Sequence, residues 1–300
     1  MNLLRRDDAT IEYATHGPDD GLPLLLVMGL GMQRTAWPVS LLDAFARQGF
    51  RAISFDNRDI GLSTRYDDHG IPPLPRVIAG RLLGRPVRTP YALADIADDA
   101  AALLDHLGIG QAHVLGISMG GMIAQHIAAR HAARLHSLTL MSTSSGRLGL
   151  PLPSAAVLKL MLSRPSTRIS VDAAIDYWVR LFQLIGSPDY PMPRDEMVRR
   201  AEASLRRAST GAGVARQLAA VIGDGDRSAM LRKIEAPTLV MHGTHDPMVP
   251  LAHGEQLARQ IPNARLHTIR GWGHDLPDAL SADIAQVVAA HARARGVTET

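Results

Sequence analysis

The pentapeptide Gly116-Ile117-Ser118-Met119-Gly120 lies between a strand pattern, Ala112 to Ile117, and a helical pattern, Met119 to His131. That junction constrains the fold more than any other segment. A strand that becomes a helix within one residue forces that residue into strained backbone, and glycines are needed where side chains would strike the neighbouring elements. The hydroxyl at the apex then stands clear, with the first amides of the helix behind it. A further strand pattern at Leu135 to Met141 makes the segment a βαβ unit, and so part of a parallel sheet.

The same alternation extends along the chain. Strand patterns occupy Thr10 to Thr15, Leu22 to Met28, Arg51 to Phe55, Thr238 to His242 and Ala264 to Ile269. Helical patterns occupy Trp37 to Gln48, Ala92 to Leu107, Leu251 to Gln260 and Leu280 to Ala294. Asp56 to Asp68 reads as a polar turn, and Gly70 to Pro90 as a proline- and glycine-rich insertion without a clear period. From Thr143 to about Arg232 the pattern is helical, broken by Pro151, Pro153, Pro165, Pro188, Pro191 and Pro193, with no strand signal. The expected architecture is α/β: a mainly parallel central sheet flanked by helices, with a core domain of residues 1–142 and 233–300 and a helical cap at 143–232.

Composition removes several function classes. With 46% hydrophobic and 20% charged residues over 300 positions, the chain can bury a sizeable core. A net charge of +3 and 4% aromatics give no nucleic-acid footprint. The absence of cysteine excludes disulfides, thiolate metal sites and a cysteine nucleophile. No apolar run approaches the roughly 20 residues of a membrane span, and MNLLRRDDAT lacks the apolar stretch of a signal peptide. No membrane span and a cytoplasmic location are therefore expected.

A serine hydroxyl is a weak nucleophile at neutral pH, so Ser118 needs a base, and the base needs a partner that fixes its tautomer. In a parallel sheet such groups gather in the loops after the strands. Asp246 follows the strand pattern ending at His242, and His274 follows the one ending at Ile269, where Gly271 and Gly273 free the backbone to turn inward. These are the candidate acid and base. His242 and His245 bracket the acid and are the alternatives for the base. Asp275 and Asp278 stand beside the base, and one of them is expected to cap the final helix. The candidate oxyanion donors are the amides of Met119 and Leu30, the latter in the loop Met28 to Met32.

Two competing readings are weaker. His242, His245 and Asp246 lack the one-turn helical spacing of a zinc-binding histidine pair, so no metal is expected. The Gly29-Leu30-Gly31 loop lacks the third glycine and the later acidic residue of a dinucleotide fingerprint, so no cofactor is expected.

The segments LLLVMGLG (24–31), SFDNRDIGLST (54–64), HVLGISMGGMIAQ (113–125), PTLVMHGTHDPMVP (237–250) and LHTIRGWGHDLP (266–277) together resemble the α/β-hydrolase superfamily. Within it, the pattern is similar to the branch of aclacinomycin methylesterase-like hydrolases. The resemblance implies the α/β-hydrolase fold, a triad of Ser118, Asp246 and His274, and oxyanion donors at Leu30 and Met119. Many superfamily members have His-Gly where this chain has Met28-Gly29, a departure shared by that branch. Asp56 and Arg58 match a turn that pins a loop in such hydrolases.

The expected function is a serine carboxylic ester hydrolase acting through an acyl-enzyme on small-to-medium apolar esters, with a small-molecule substrate as its partner. Met32, Leu150, Met161 and Trp178 are candidate apolar lining. Methylesterase action on a polyketide-type natural product, lactone or carbon-carbon hydrolysis, and a non-catalytic ligand receptor are the alternatives. The oligomeric state, monomer or homodimer, is left open by the sequence.

Overall fold

The structure, a computed structural model, describes residues 1–85, 87–163, 170–208 and 211–294. Its strands are β1 (Asn2–Arg5), β2 (Thr10–His16), β3 (Leu22–Val27), β4 (Phe50–Phe55), β5 (Ala112–Ile117), β6 (Leu135–Met141), β7 (Thr238–Gly243) and β8 (Arg265–Ile269). They form one sheet in the order β1-β2-β4-β3-β5-β6-β7-β8. β1 pairs antiparallel with β2, and β2 with β4; every other pairing is parallel. The α-helices are α1 (Val39–Arg47), α2 (Leu74–Leu82), α3 (Leu93–His106), α4 (Met119–Arg130), α5 (Ala155–Leu162), α6 (Val171–Ile185), α7 (Arg194–Arg207), α8 (Gly211–Asp224), α9 (Ser228–Leu231), α10 (Ala252–Gln260) and α11 (Ser281–Arg293).

The sheet is covered on both faces because successive strand side chains point to opposite sides. Leu24 and Leu26 of β3 face one core, shared with Trp37, Leu41 and Phe45 and with Ile284 and Val288 of α11. Leu25 and Val27 face the opposite core, built from Ile96, Leu103, Ile123 and Ile127. α3 buries Leu93, Ile96, Ala97, Ala100, Leu103 and Leu104, the three-and-four spacing of a helix with one apolar stripe.

The expected α/β class and mainly parallel sheet are those observed, with helix and strand ends moved by a residue or two. Two elements are additional. β1 is four residues long and too short to display a period. α2 lies inside the apparently aperiodic Gly70 to Pro90 stretch; it buries Val77 alone and rests on α8, so its amphipathic signal is thin. Between β6 and β7 the chain runs through α5 to α9, with no strand among the described residues. Pro165, expected as a breaker there, lies outside the described residues. No helix among them is long and apolar enough to cross a membrane.

After β3 the chain moves to β4 on one side, and it later returns to β5 on the other side of β3. The strand order reverses there, and such a reversal opens a crevice at the carboxyl ends of the two strands. The Met28 to Met32 loop leaves β3 and Ser118 leaves β5 at this point.

Candidate active site

Ser118 occupies a single strained position between β5 and α4, with φ 55° and ψ −121°. A non-glycine residue with positive φ costs of the order of 1 kcal/mol or more and persists where its surroundings over-determine it. Here β6 and the residues just after it supply that restraint: the Ser118 amide donates to the Met141 carbonyl at 2.9 Å, and the Thr143 hydroxyl donates to the Ser118 carbonyl at 2.6 Å. The glycines around the serine answer to close approach. A Cβ on Gly116 would collide with the Gly120 carbonyl, one on Gly120 with the Val27 carbonyl, and one on Gly121 would stand 2.6 Å from the Thr143 Cβ.

His274 and Asp246 arrive from the loops after β8 and β7. The Ser118 hydroxyl lies 3.0 Å from His274 Nε2, and His274 Nδ1 lies 2.7 Å from Asp246 Oδ2. A carboxylate beside Nδ1 places the ring proton there and leaves Nε2 as an acceptor for the serine proton. Asp246 is held by its own loop: Oδ1 accepts from the amides of Met248 at 2.9 Å and Val249 at 2.7 Å. Both the histidine and the aspartate are buried, so their mutual attraction is little screened by water.

The histidine loop is also fastened to the end of α6. The His274 amide donates to the Ile185 carbonyl at 2.7 Å, the Gly273 amide donates to Ser187 Oγ at 2.9 Å, and the Ser187 hydroxyl donates to Asp275 Oδ1 at 2.5 Å. Burial raises the Asp275 carboxyl above its ordinary range, against the hydrogen bonds from Ser187. Asp278 does not cap the final helix: its carboxylate accepts from Ser40 and from Arg200 across the surface, because the preceding 3-10 turn leads directly into α11.

The β3 loop lies against the serine. A Cβ on Gly29 would sit 3.3 Å from the Ser118 Cβ and 3.8 Å from its Oγ, so glycine lets the backbone pass at that distance. Met119 is the first residue of α4, and its amide has no carbonyl one turn back within the helix. The amides of Leu30 and Met119 thus belong to the two backbone segments that flank the Ser118 hydroxyl.

The structure therefore brings Ser118, Asp246 and His274 into one hydrogen-bonded chain, with the loop that carries Leu30 passing Ser118 at Gly29 and Met119 following the serine directly. Of the two alternative bases, His242 spends Nε2 on the Val249 carbonyl at 2.7 Å, and burial pushes its ring below the ordinary histidine range. His245 is exposed and meets Thr244 Oγ1 at 2.9 Å. Met32 packs at the edge of the core around Trp37 and Trp272. Leu150 precedes α5, Met161 lies on α5 and Trp178 stacks near Phe182 on α6; all three are half-buried, and none is joined to the triad by a hydrogen bond or ring contact given by the structure. Among the described residues no cluster of three histidine, aspartate or glutamate side chains could hold a metal ion.

Asp56 and Arg58 pin loops, as their pattern suggests. Asp56 accepts from the amides of Arg34 at 2.7 Å and Leu62 at 2.9 Å, and Arg58 grips Asp99 at 2.6 and 2.8 Å. Thr143, Ser187, Asn57, Arg216 and Gln217 also hold the site or its loops, and the sequence motifs assign none of them a role. For the last two a signal existed: α8 buries Gly213, Arg216, Gln217 and Ala220 on one helical face, where apolar residues are the norm.

The comparisons agree with this fold. A family model described as alpha/beta hydrolase fold matches residues 23–278. A rhodomycin D methylesterase of Streptomyces sp. strain C5 is 28% identical, covering 98% of this chain and 99% of that protein. A 3-oxoadipate enol-lactonase of Acinetobacter baylyi is 26% identical over 89% of this chain and 88% of its own. The crystal structure of an enol-lactonase from Burkholderia xenovorans superposes with a TM-score of 0.73 at 21% identity, over 97% of this chain and 99% of that one. With a strand-turn-helix serine on a mainly parallel sheet and a family match over most of its length, the chain belongs to the α/β-hydrolase family, and it is a hydrolase related to the methylesterase-like branch.

Proposed function

We propose that the chain is a serine carboxylic ester hydrolase working through an acyl-enzyme. The observation that carries this reading is the relay from Ser118 Oγ to His274 Nε2 at 3.0 Å and from His274 Nδ1 to Asp246 Oδ2 at 2.7 Å. Ser118 attacks the ester carbonyl while His274 takes its proton. The tetrahedral oxyanion is met by the amides of Leu30 and Met119. His274 returns the proton to the departing alcohol, and water then attacks the acyl group with the same histidine as base. Asp246 holds the ring in the tautomer that makes both transfers possible.

In this reading residues 1–142 and 233–300 form the catalytic core, and residues 143–232 form a helical cap over the crevice. Met32 from the core, with Leu150, Met161 and Trp178 from the cap, would line an apolar acyl or alcohol site. A narrower reading is favoured by one finding: the full-length match to a rhodomycin D methylesterase supports methyl-ester cleavage on a polyketide-type natural product. Lactone hydrolysis uses the same serine chemistry, and the enol-lactonase likeness supports keeping it in the substrate panel.

Hydrolysis of p-nitrophenyl acetate, butyrate and octanoate by wild type and Ser118→Ala tests the general reading. Turnover that falls at least about 10⁴-fold in the variant is expected. Methanol release from a carbomethoxy polyketide, with poor turnover of longer alkyl esters, would select the methylesterase. Tight ligand binding unaffected by Ser118→Ala, without turnover of any ester or lactone, would refute the enzyme reading in favour of a receptor.

A further inference from the structure

α8 meets the core through its buried face, and that face ends on the loop leaving β3. Gly213 lets the helix approach the Asp59 backbone, where a Cβ would collide with the Asp59 carbonyl. A Cβ on Gly31 would meet the Val214 methyls at 3.0 Å, and Gly31 itself has φ +72°. Gln217 is fully buried; its Oε1 accepts from the Gly31 amide at 2.9 Å and its Nε2 donates to the Arg58 carbonyl at 2.9 Å. One partner is a donor and the other an acceptor, so the orientation of the side-chain amide is fixed.

Three peptide groups of the loop are held in this way. Asn57 Nδ2 donates to the Met28 carbonyl at 2.9 Å, the Met32 amide donates to the Gly29 carbonyl at 3.3 Å, and the Gly31 amide is held by Gln217. A peptide group is planar and trans, so fixing the Gly29 carbonyl also fixes the Leu30 N–H, which lies in the same plane and points the opposite way. Fixing the Gly31 N–H sets the next plane, on the other side of the Leu30 Cα. The two planes together determine the conformation of Leu30.

We infer that Gln217 is a positioning residue that aims the Leu30 amide at the oxyanion, so that α8 is a working part of the catalytic centre. The inference rests on the serine-hydrolase reading above. Gln217 does not touch substrate; it acts through Gly31 on the donor next to it.

The test is Gln217→Met, which keeps the approximate shape and removes both polar atoms. Loss of a whole oxyanion donor costs about 10²- to 10³-fold in kcat, so misaiming one is expected to cost about 10- to 100-fold with KM within about twofold of wild type. Affinity for an aryl trifluoromethyl ketone, which forms a tetrahedral adduct with the serine, should fall by the same factor as kcat/KM. If Gln217→Met does not fold, Gln217→Asn carries the test: it keeps both polar atoms but is one methylene too short to reach both partners, and the same pattern is expected at smaller size. A kcat within threefold of wild type in a folded variant, or a loss confined to KM with ketone affinity unchanged, overturns the inference. Wild type and Ser118→Ala are assayed alongside. Undiminished turnover by Ser118→Ala would remove the serine reading and this inference together, whereas normal Ser118 chemistry with an unaffected Gln217→Met would remove this inference alone.

Discussion

Arg216→Met should unclamp the helical segment from the core. Arg216 is 1% exposed and Asp59 is fully buried, and the guanidinium holds both Asp59 oxygens, at 2.8 and 2.7 Å. It also donates to Asp67 at 2.7 Å and to the Gly70 carbonyl at 3.1 Å. Replacing it with methionine leaves the Asp59 carboxylate with two neutral donors, the Tyr91 hydroxyl at 2.8 Å and the Tyr66 amide at 2.9 Å. A buried charge stripped of its counter-ion costs about 3–5 kcal/mol. Asp67 is half exposed and regains water, so its share is at most about 1 kcal/mol. At about 2–4 °C per kcal/mol the midpoint should fall by roughly 10 °C. Asp59→Asn is the complementary change: asparagine tolerates the positive φ of 71° at this position, its Oδ1 accepts from the Tyr66 amide, and its Nδ2 donates to the Tyr91 hydroxyl, which rotates to accept. The double variant removes the orphaned charge, so its loss should be smaller than the sum of the single losses by at least about 1.5 kcal/mol. Urea unfolding of the four proteins measures this cycle. A loss below about 1 kcal/mol for Arg216→Met, or additivity within about 0.5 kcal/mol, would refute the reasoning.

Gly120→Ala should abolish hydrolysis or folding because its Cβ collides with the Val27 carbonyl, whereas Gly110→Ala, with open space around the new methyl, should stay within about 0.5 kcal/mol of wild type in urea unfolding. His113 is held neutral under the sheet, pushed down to about 4 by burial and by the nearby His136 and His291. The unfolded chain takes up this proton below the ordinary value of 6.5 and the folded one does not, so the contribution is fully present above that pH and is lost as pH falls toward about 4. By pH 5 the loss is about 2 kcal/mol at 1.36 kcal/mol per unit, and His113→Gln should lack it; an identical acid decline in the variant would contradict this. Ser187→Ala frees the Gly273 amide and Asp275 beside the histidine loop, so a loss of about 1–3 kcal/mol in unfolding together with a several-fold fall in kcat is expected, checked by urea titration and steady-state kinetics.

Where structure depends on neighbours in sequence, it was readable. β5, Ser118 and α4 fall within one window of residues, and the alternation, the glycines and the helical period all point to the same turn. Asp246 and His274 each follow a strand pattern, and the fold brings the histidine within hydrogen-bond reach of the serine and the aspartate within reach of the histidine. α2 was missed because a helix that buries one side chain carries almost no period. Gln217 and Ser187 were missed for a different reason. Gln217 finds its partners 186 and 159 positions away, and Ser187 meets Asp275 across 88 positions, so no local pattern contains either pair. Asp278 shows the converse: its place just before a helix suggested a cap, and tertiary partners Ser40 and Arg200 took the carboxylate instead.

The most direct measurement is intact-protein mass spectrometry after treatment with a fluorophosphonate, followed by peptide mapping of wild type, Ser118→Ala and His274→Ala. A single phosphonyl adduct on Ser118 in wild type, none in Ser118→Ala and much slower labelling of His274→Ala are expected from the relay. Labelling at another residue, or Ser118→Ala that still hydrolyses esters at the wild-type rate, would contradict Ser118 as the nucleophile.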